Sequence, residues 1–174
     1  MAIERRGVYT KKGTPLTVIG PVLKVGDKAP DFTLQAAPDL SDVTLDDSAG
    51  KVRLLNVVPS LDTSVCAQQT RRFNEEATRF SPDVVVLTVS VDLPYAQRRF
   101  AQEAGADRVQ FLSDHRDMNF GDAYGTHVKE LRQEQRSVFV VDRNGLIRYV
   151  EYVPEDSQHP DYEGALNAVR QVAG

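Results

Sequence analysis

Residues 52–66 read VRLLNVVPSLDTSVC. The first seven residues, 52–58, are mostly apolar, and this run predicts a buried β-strand. Pro59 ends the predicted strand, because proline has no N–H to donate to a neighbouring strand. Helical composition follows from Cys66 to Phe80. The stretch therefore predicts a strand, a short loop and a helix, with the cysteine at the start of that helix.

Strand and helix patterns alternate along the rest of the chain. Asn144-Gly145 is a strong hairpin signal between two β-prone runs, and Lys12-Gly13 indicates a second hairpin near the N-terminus. This order predicts an α/β fold with a central mixed sheet flanked by helices. It is typical of a thioredoxin-like core. The predicted strands are 8–18 (a hairpin), 32–34, 39–45, 84–91, 109–112, 137–141 and 146–153, and the predicted helices are 94–104, 117–124 and 161–172.

The length of 174 residues suits one domain, and we interpret residues 1–174 as a single domain with an N-terminal β-hairpin extension over about residues 1–24. The net charge is −4, and no basic face predicts binding to nucleic acid. No segment approaches the roughly 20 apolar residues that a membrane span needs. We therefore expect a soluble protein with a cytoplasmic location.

Cys66 is the only cysteine, so an intramolecular disulfide is excluded. By default such a residue is a small buried hydrophobic group. Its predicted position, after a buried strand and at a helix N-terminus, offers free N–H groups and a positive dipole end that stabilise a thiolate. Asp62 opposes a second anion nearby. We expect its carboxylate to point away from the sulfur, with a helix cap as one role open to it.

Thr63 lies three residues before Cys66 and gives Thr-x-x-Cys where a dithiol oxidoreductase has Cys-x-x-Cys. Dithiol exchange is therefore not predicted. The Thr63 hydroxyl can accept a hydrogen bond from a substrate or donate one to the sulfur. Pro59 can stiffen the loop and shield the sulfur from water. The residues alone leave open a simpler interpretation, in which Thr63 is a helix cap and Pro59 a strand stop.

The pattern Pro59-x-x-x-Thr63-x-x-Cys66 is similar to the active-site signature of peroxiredoxins. Nearly the whole chain resembles the bacterial thiol peroxidase branch of that family. The stretches that carry this resemblance are VVPSLDTSVCAQQTRRFN (57–74), SVDLPYAQRRF (90–100), DLSDVTL (39–45) and DYEGAL (161–166). The resemblance implies that Cys66 is the peroxidatic cysteine, with Pro59 and Thr63 completing its loop.

The family also uses an arginine from a later strand, and the matching residue is Arg136. Without the resemblance, Arg136 would be interpreted as an ordinary surface arginine. The resemblance further implies a hydroperoxide substrate, a sulfenic acid intermediate, reduction by thioredoxin or another thiol, and a homodimer. We expect no cofactor or metal.

Ala101 occupies the position where many thiol peroxidases carry a second, resolving cysteine. Two explanations compete. The chain is either a natural one-cysteine member that an external thiol reduces, or an engineered Cys→Ala variant, and the close match around position 101 favours the variant. In both cases the first half of the peroxidase cycle is expected to survive.

Two further interpretations remain open: a redox sensor that passes its oxidation to a partner without turnover, and a structural domain with an unreactive cysteine. The three histidines, His115, His127 and His159, are not in metal-ligand spacing with each other or with Cys66. His127 is too weakly located to predict a cysteine–histidine hydrolase. No phosphate-binding glycine motif occurs, so nucleotide use is not predicted.

Overall fold

The computed structural model describes residues 2–174, which form eleven strands and four α-helices. The strands are β1 (Glu4–Lys11), β2 (Thr14–Ile19), β3 (Thr33–Ala36), β4 (Asp42–Thr44), β5 (Val52–Val57), β6 (Val84–Ser90), β7 (Gln110–Ser113), β8 (His127–Val128), β9 (Gln133–Glu134), β10 (Ser137–Val141) and β11 (Ile147–Tyr152). The helices are α1 (Ser64–Ala77), α2 (Pro94–Ala104), α3 (Asn119–Tyr124) and α4 (Tyr162–Ala173).

Seven strands form the central sheet in the order β11-β10-β5-β6-β7-β3-β4. The β5–β6 and β6–β7 pairs are parallel and the other pairs are antiparallel, so the sheet is mixed, as predicted. All six residues of β5 are buried, since this strand has neighbours on both edges and layers on both faces. This placement explains why 52–58 is almost continuously apolar.

Helices cover both faces of the central sheet, which confirms the predicted thioredoxin-like architecture. Side chains alternate along each strand, so Leu54 faces α1, α2 and α4 while Leu55 faces α3. Phe73 of α1 and Leu166 of α4 pack in the first core, and Phe120 of α3 packs in the second. The sheet thereby separates two hydrophobic cores.

A second sheet of four strands has the order β1-β2-β8-β9. The predicted N-terminal hairpin is present, and Lys12 and Gly13 form its turn with φ of 50° and 80°. Strands β8 and β9 were not predicted, because two residues each are too short for a periodic pattern. They pair with β2 and with each other, so the hairpin belongs to a small sheet of its own.

Several element boundaries differ from the predictions, mostly by one or two residues. The larger differences are that β1 begins at Glu4 rather than Val8 and that α1 ends at Ala77 rather than Phe80. Helix α1 begins at Ser64, two residues before the predicted start at Cys66. The region 39–45 contains the short strand β4, and a 3-10 turn at Leu45–Ser48 follows it. Gly105 and Gly125 end α2 and α3 in the left-handed conformation, with φ of 61° and 72°.

Candidate active site

Cys66 lies in the first turn of α1, just beyond the carboxyl end of β5. Its side chain is fully buried, with 0% exposure. The preceding loop, 58–63, turns the chain from the strand into the helix, so the thiol lies near the free N–H groups of the first turn. This edge of a sheet, where parallel strands end, is a usual ligand-binding position in α/β folds.

Arg136 directly precedes β10, which runs antiparallel to β5 with Ser137 opposite Val57. This register brings a residue 70 positions away to the end of β5, and the Arg136 Nη2 donates to the Cys66 Sγ over 3.3 Å. Arg136 is only 1% exposed, so the interpretation as a surface arginine is wrong. A guanidinium at this distance stabilises negative charge on the sulfur.

Two other groups hold the guanidinium of Arg136 in place. Its Nη1 donates to the Gln69 Oε1 over 3.0 Å, and its Nε and Nη2 donate to the backbone carbonyl of Asp156 over 3.1 and 2.6 Å. A buried cation is costly unless its hydrogen bonds are satisfied. Here every nitrogen of the guanidinium has a partner, so the fork is fixed in one orientation beside the sulfur.

Thr63 and Pro59 flank the cysteine but do not hydrogen-bond to it. Thr63 is exposed, and its hydroxyl donates to the backbone carbonyl of Ser60 over 2.9 Å. It is the N-cap residue of α1, yet its side chain makes no capping hydrogen bond. Pro59 is buried two residues after the end of β5. The structure therefore brings Arg136 to Cys66 and leaves the Thr63 hydroxyl in its own turn.

The Asp62 carboxylate points away from the sulfur, as expected. Its side chain is 73% exposed and lies 3.6 Å from the Arg99 guanidinium on α2. It does not cap α1, because Thr63 occupies the N-cap position. The Asp62 carboxylate is thus largely in solvent and near Arg99, whereas the Cys66 side chain is buried.

Three residues that hold Arg136 or the loop before Cys66 in place were not predicted: Gln69, Asp92 and Asp156. The Asp92 carboxylate accepts hydrogen bonds from the Ser60 hydroxyl, over 2.7 Å, and from the backbone N–H of Leu61, over 2.8 Å. It therefore anchors the loop before the cysteine. Two of the three had a readable signal. Gln69 lies three residues after Cys66 on one helix face, and Asp92 follows a second buried strand at the same sheet edge.

Ala101 lies on α2 and packs, partly buried, against the same core as Cys66. It also lines an open groove of about 660 Å³ between α2 and the β3–β4 region. Other residues of this groove are Ala36, Ala37, Pro38, Val43, Val109 and Phe111. The groove as a whole is mainly apolar, with Arg98 and Gln102 beside Ala101, and the alanine methyl group has no redox chemistry.

Within residues 2–174, no group of three or more His, Cys, Asp and Glu side chains is arranged to hold a metal ion. The Nδ1 of His127 instead lies 2.7 Å from the Asp122 carboxylate. Over the same described range, no helix is both long and apolar enough to cross a membrane.

A model of the Redoxin family matches residues 24–166. The chain therefore belongs to the Redoxin family. Among its solved structural relatives is a peroxiredoxin-like protein from Aquifex aeolicus, with a TM-score of 0.88 and 37% identity over 97% of this chain and 98% of the other. A thiol peroxidase from Chromobacterium violaceum has a TM-score of 0.83 at 20% identity, covering 94% and 95%, and supports the fold alone.

Within the family, the chain is similar to bacterial thiol peroxidases. It is 58% identical to the thiol peroxidase of Halalkalibacterium halodurans over 92% of this chain and 96% of that protein. It is 52% identical to the thiol peroxidase of Bacillus subtilis over 94% and 96%. These alignments extend beyond the segment that the Redoxin model matches.

Proposed function

We propose that this chain is a thiol-dependent peroxidase in which Cys66 reduces hydroperoxides. The observation that carries the proposal is the 3.3 Å contact between the Arg136 guanidinium and the buried Cys66 sulfur, on the scaffold of a Redoxin-family protein. Thiol peroxidases at 52% and 58% identity support the same activity. A structural cysteine in a hydrophobic core would not need a satisfied arginine beside it.

The proposed reaction begins when the Cys66 thiolate attacks the terminal oxygen of ROOH. An S–O bond forms as the O–O bond breaks, and the released alkoxide takes a proton to leave as an alcohol, or as water when the substrate is hydrogen peroxide. The sulfur becomes a sulfenic acid. Arg136 stabilises the thiolate and then the negative charge that develops on the leaving oxygen.

Access to the sulfur involves the loop 59–63, because Cys66 is fully covered. We infer that this loop shifts to admit the peroxide, and that the exposed Thr63 hydroxyl then exchanges the Ser60 carbonyl for a peroxide oxygen. Pro59 limits the shift, since its ring fixes the backbone φ where the loop leaves β5. Arg136, with its fixed partners, keeps its place during this step.

The second half of the cycle requires a thiol from outside the chain, because Cys66 is the only cysteine. We infer that Ala101 occupies the resolving position and that thioredoxin or another thiol reductant reduces the sulfenic acid. Further oxidation to sulfinic acid is the competing outcome. This inference holds whether alanine is natural at position 101 or replaces a cysteine.

We further infer that residues 1–174 fold as one domain, with residues 1–24 as its N-terminal extension, and that the protein is cytoplasmic.

We also infer that the protein is a homodimer. Leu93 and Tyr95, at 53% and 58% exposure near the loop 59–63, are apolar groups that a second copy would cover. Light scattering tests the dimer. A monomer at all concentrations would contradict it.

The experiment that tests the function is peroxide consumption with excess thioredoxin, its reductase and NADPH, compared with excess dithiothreitol. We expect turnover that depends on Cys66 with at least one reductant. Oxidation of Cys66 without turnover under any reductant would instead identify a redox sensor. A folded protein whose Cys66 does not react with hydrogen peroxide or with an organic hydroperoxide would be a structural domain.

A further inference from the structure

The N-terminal hairpin, formed by β1 and β2, contacts a loop at the other end of the chain. This loop, residues 154–156, is named here the support loop. Thr10 of β1 makes backbone hydrogen bonds to both ends of the support loop. The Thr10 N–H donates to the Pro154 carbonyl over 2.9 Å, and the Thr10 carbonyl accepts from the Asp156 N–H over 2.8 Å. The hairpin thus pairs with the support loop as a strand pairs with its neighbour.

Side chains reinforce this contact at both acidic residues of the support loop. The Glu155 carboxylate accepts hydrogen bonds from the backbone N–H groups of Lys12 and Gly13, over 3.0 and 3.4 Å, and from the Thr10 hydroxyl. The hydrogen bond from Thr10 lowers the pKa of Glu155, so this side chain is ionised at neutral pH. Glu155 therefore ties the hairpin turn to the support loop.

Tyr9 makes the second reinforcement. It is 2% exposed, and its hydroxyl donates to the Asp156 Oδ1 over 2.8 Å. Burial and the nearby Asp156 carboxylate raise the pKa of Tyr9, so the hydroxyl remains a donor throughout the neutral range. The ring lies in a small core with Leu16, Val18 and Val128, which fixes where the hydroxyl points.

The opposite side of the support loop faces the active site. The backbone carbonyl of Asp156 accepts from the Nε and Nη2 of Arg136, and the same Nη2 donates to the Cys66 sulfur. This carbonyl is therefore one of the two groups, with the Gln69 amide oxygen, that hold the guanidinium. The support loop therefore contacts both the hairpin strand and the Arg136 side chain.

We propose that the N-terminal hairpin is a positioning element of the active site, in which Tyr9 and Glu155 act through the Asp156 carbonyl to aim Arg136 at Cys66. This inference rests on the proposed function. It gives the hairpin, which lies before the segment matched by the Redoxin model, a role in the reaction with peroxide. Tyr9 and Glu155 are positioning residues, since neither touches the sulfur.

The test uses the combined variant Tyr9→Phe/Glu155→Gln, which removes the phenol hydroxyl and one carboxylate charge and leaves side-chain shape nearly unchanged. Glu130→Gln is the matched control. Its carboxylate also binds the hairpin, accepting from the Thr17 N–H at 2.9 Å through both oxygens, but Glu130 does not belong to the support loop. Thermal unfolding of every variant verifies that it is folded.

The rate of Cys66 oxidation by hydrogen peroxide is measured by rapid quench and mass spectrometry. We expect the combined variant to react about fivefold more slowly, and Glu130→Gln to stay within about twofold of the unmodified protein. In an Arg136→Met background, where the guanidinium is absent, the two hairpin substitutions are expected to change the rate by less than about twofold.

An unchanged rate in the combined variant, an equal loss in Glu130→Gln, or a full fivefold loss in the Arg136→Met background would each overturn the inference. If the combined variant or the Arg136→Met background does not fold, Glu155→Gln compared with Glu130→Gln decides by the same criterion. Failure of the proposed function looks different, because the unmodified protein itself would then not oxidise at Cys66.

Discussion

Cys66 and Ala101 lie on two helices that pack against the same face of the central sheet, yet their surroundings differ in kind. Cys66 is buried beside a guanidinium whose nitrogens all have hydrogen-bond partners. Ala101 borders an open, largely apolar groove. The two positions therefore differ in what they offer: a buried sulfur beside a fully hydrogen-bonded cation at Cys66, and open space without a thiol at Ala101. We propose that the first environment suits attack on a peroxide, and that a resolving step at position 101 would need only a thiol that can reach Cys66.

Removing the sulfur of Cys66 is expected to have the largest effect on peroxide consumption. Cys66→Ser is expected to lower peroxide consumption to the uncatalysed rate, a loss of at least about 10³-fold, because a serine hydroxyl at neutral pH is a far weaker nucleophile than a thiolate. The variant should fold normally, since the two side chains are nearly the same size. Peroxide consumption in the presence of dithiothreitol measures the loss. Residual activity above a tenth of the original would be inconsistent with Cys66 as the attacking group.

Adding a thiol to the groove is expected to change the second half of the cycle and leave the first half intact. Ala101→Cys should form a disulfide with oxidised Cys66 and support turnover with thioredoxin. Glu103→Cys is the matched control, since Glu103 is an exposed residue of the same helix that does not line the groove, and its side chain points about 200° away from that of Ala101. Mass spectrometry under non-reducing conditions and a thioredoxin-coupled assay give the two readouts. If Ala101→Cys gains neither the disulfide nor turnover, position 101 is not a resolving position.

Changing the arginine tests the electrostatic part of the Cys66 site. Arg136→Lys keeps the charge but loses the planar fork, and we expect Cys66 oxidation to slow by about 30-fold, because a lysine cannot contact Gln69, Asp156 and the sulfur together. Arg148→Lys is the control. Arg148 is 49% exposed and pairs with Asp142 away from the site. Stopped-flow or quench measurements compare the rates, and equal rates for both variants would remove Arg136 from the mechanism.

A smaller effect is expected at Thr63, whose hydroxyl is not yet at the sulfur in this structure. Thr63→Val should slow the reaction of Cys66 with hydrogen peroxide by about fivefold to tenfold, and Thr63→Ser should restore most of the rate, since the hydroxyl contributes about one hydrogen bond to the bound peroxide. Measurement over a range of peroxide concentrations separates binding from the chemical step. A Thr63→Val protein with the original rate would leave Thr63 with only its role as the N-cap residue.

The smallest expected effect is on thermal stability and concerns Glu134, which lies two residues before Arg136. Burial, together with the neighbouring Asp114, raises the pKa of Glu134 well above its usual value. An acid whose pKa is raised on folding favours the protonated form, so stability is lost as the pH rises from about 4.5 towards the folded pKa. Glu134→Gln, which mimics the neutral acid, should therefore raise the melting temperature more at pH 8 than at pH 5. Calorimetry at both pH values tests this, and a gain that is independent of pH would contradict the reasoning.

Much of the fold could be predicted because its periodic signals are strong. The run at 52–58 is apolar because β5 is buried on both faces, and glycines 105 and 125 end helices where only a left-handed residue fits. Strands β8 and β9 could not be predicted. Each has only two residues. These strands are stabilised by pairing with β2 and with each other, not by a local conformational preference.

The candidate site could be predicted only in part. The motif placed Cys66 at a helix start, but Arg136 depended on a family resemblance, because no local pattern distinguishes a buried arginine from an exposed one. The Asp156 carbonyl had no signal at all, since any residue has a carbonyl and only the pairing of β10 with β11 brings the following residues beside Arg136. Long-range pairing decides such contacts, and one sequence does not reveal it.

We propose that Cys66 reacts with peroxide and that this chain cannot complete the peroxidase cycle alone. The most direct measurement is the mass of the reduced protein after one equivalent of hydrogen peroxide, with dimedone present to trap a sulfenic acid. We expect a single dimedone adduct on Cys66, and recovery of the free thiol when thioredoxin or dithiothreitol replaces dimedone. A folded protein with an unmodified Cys66 would contradict it.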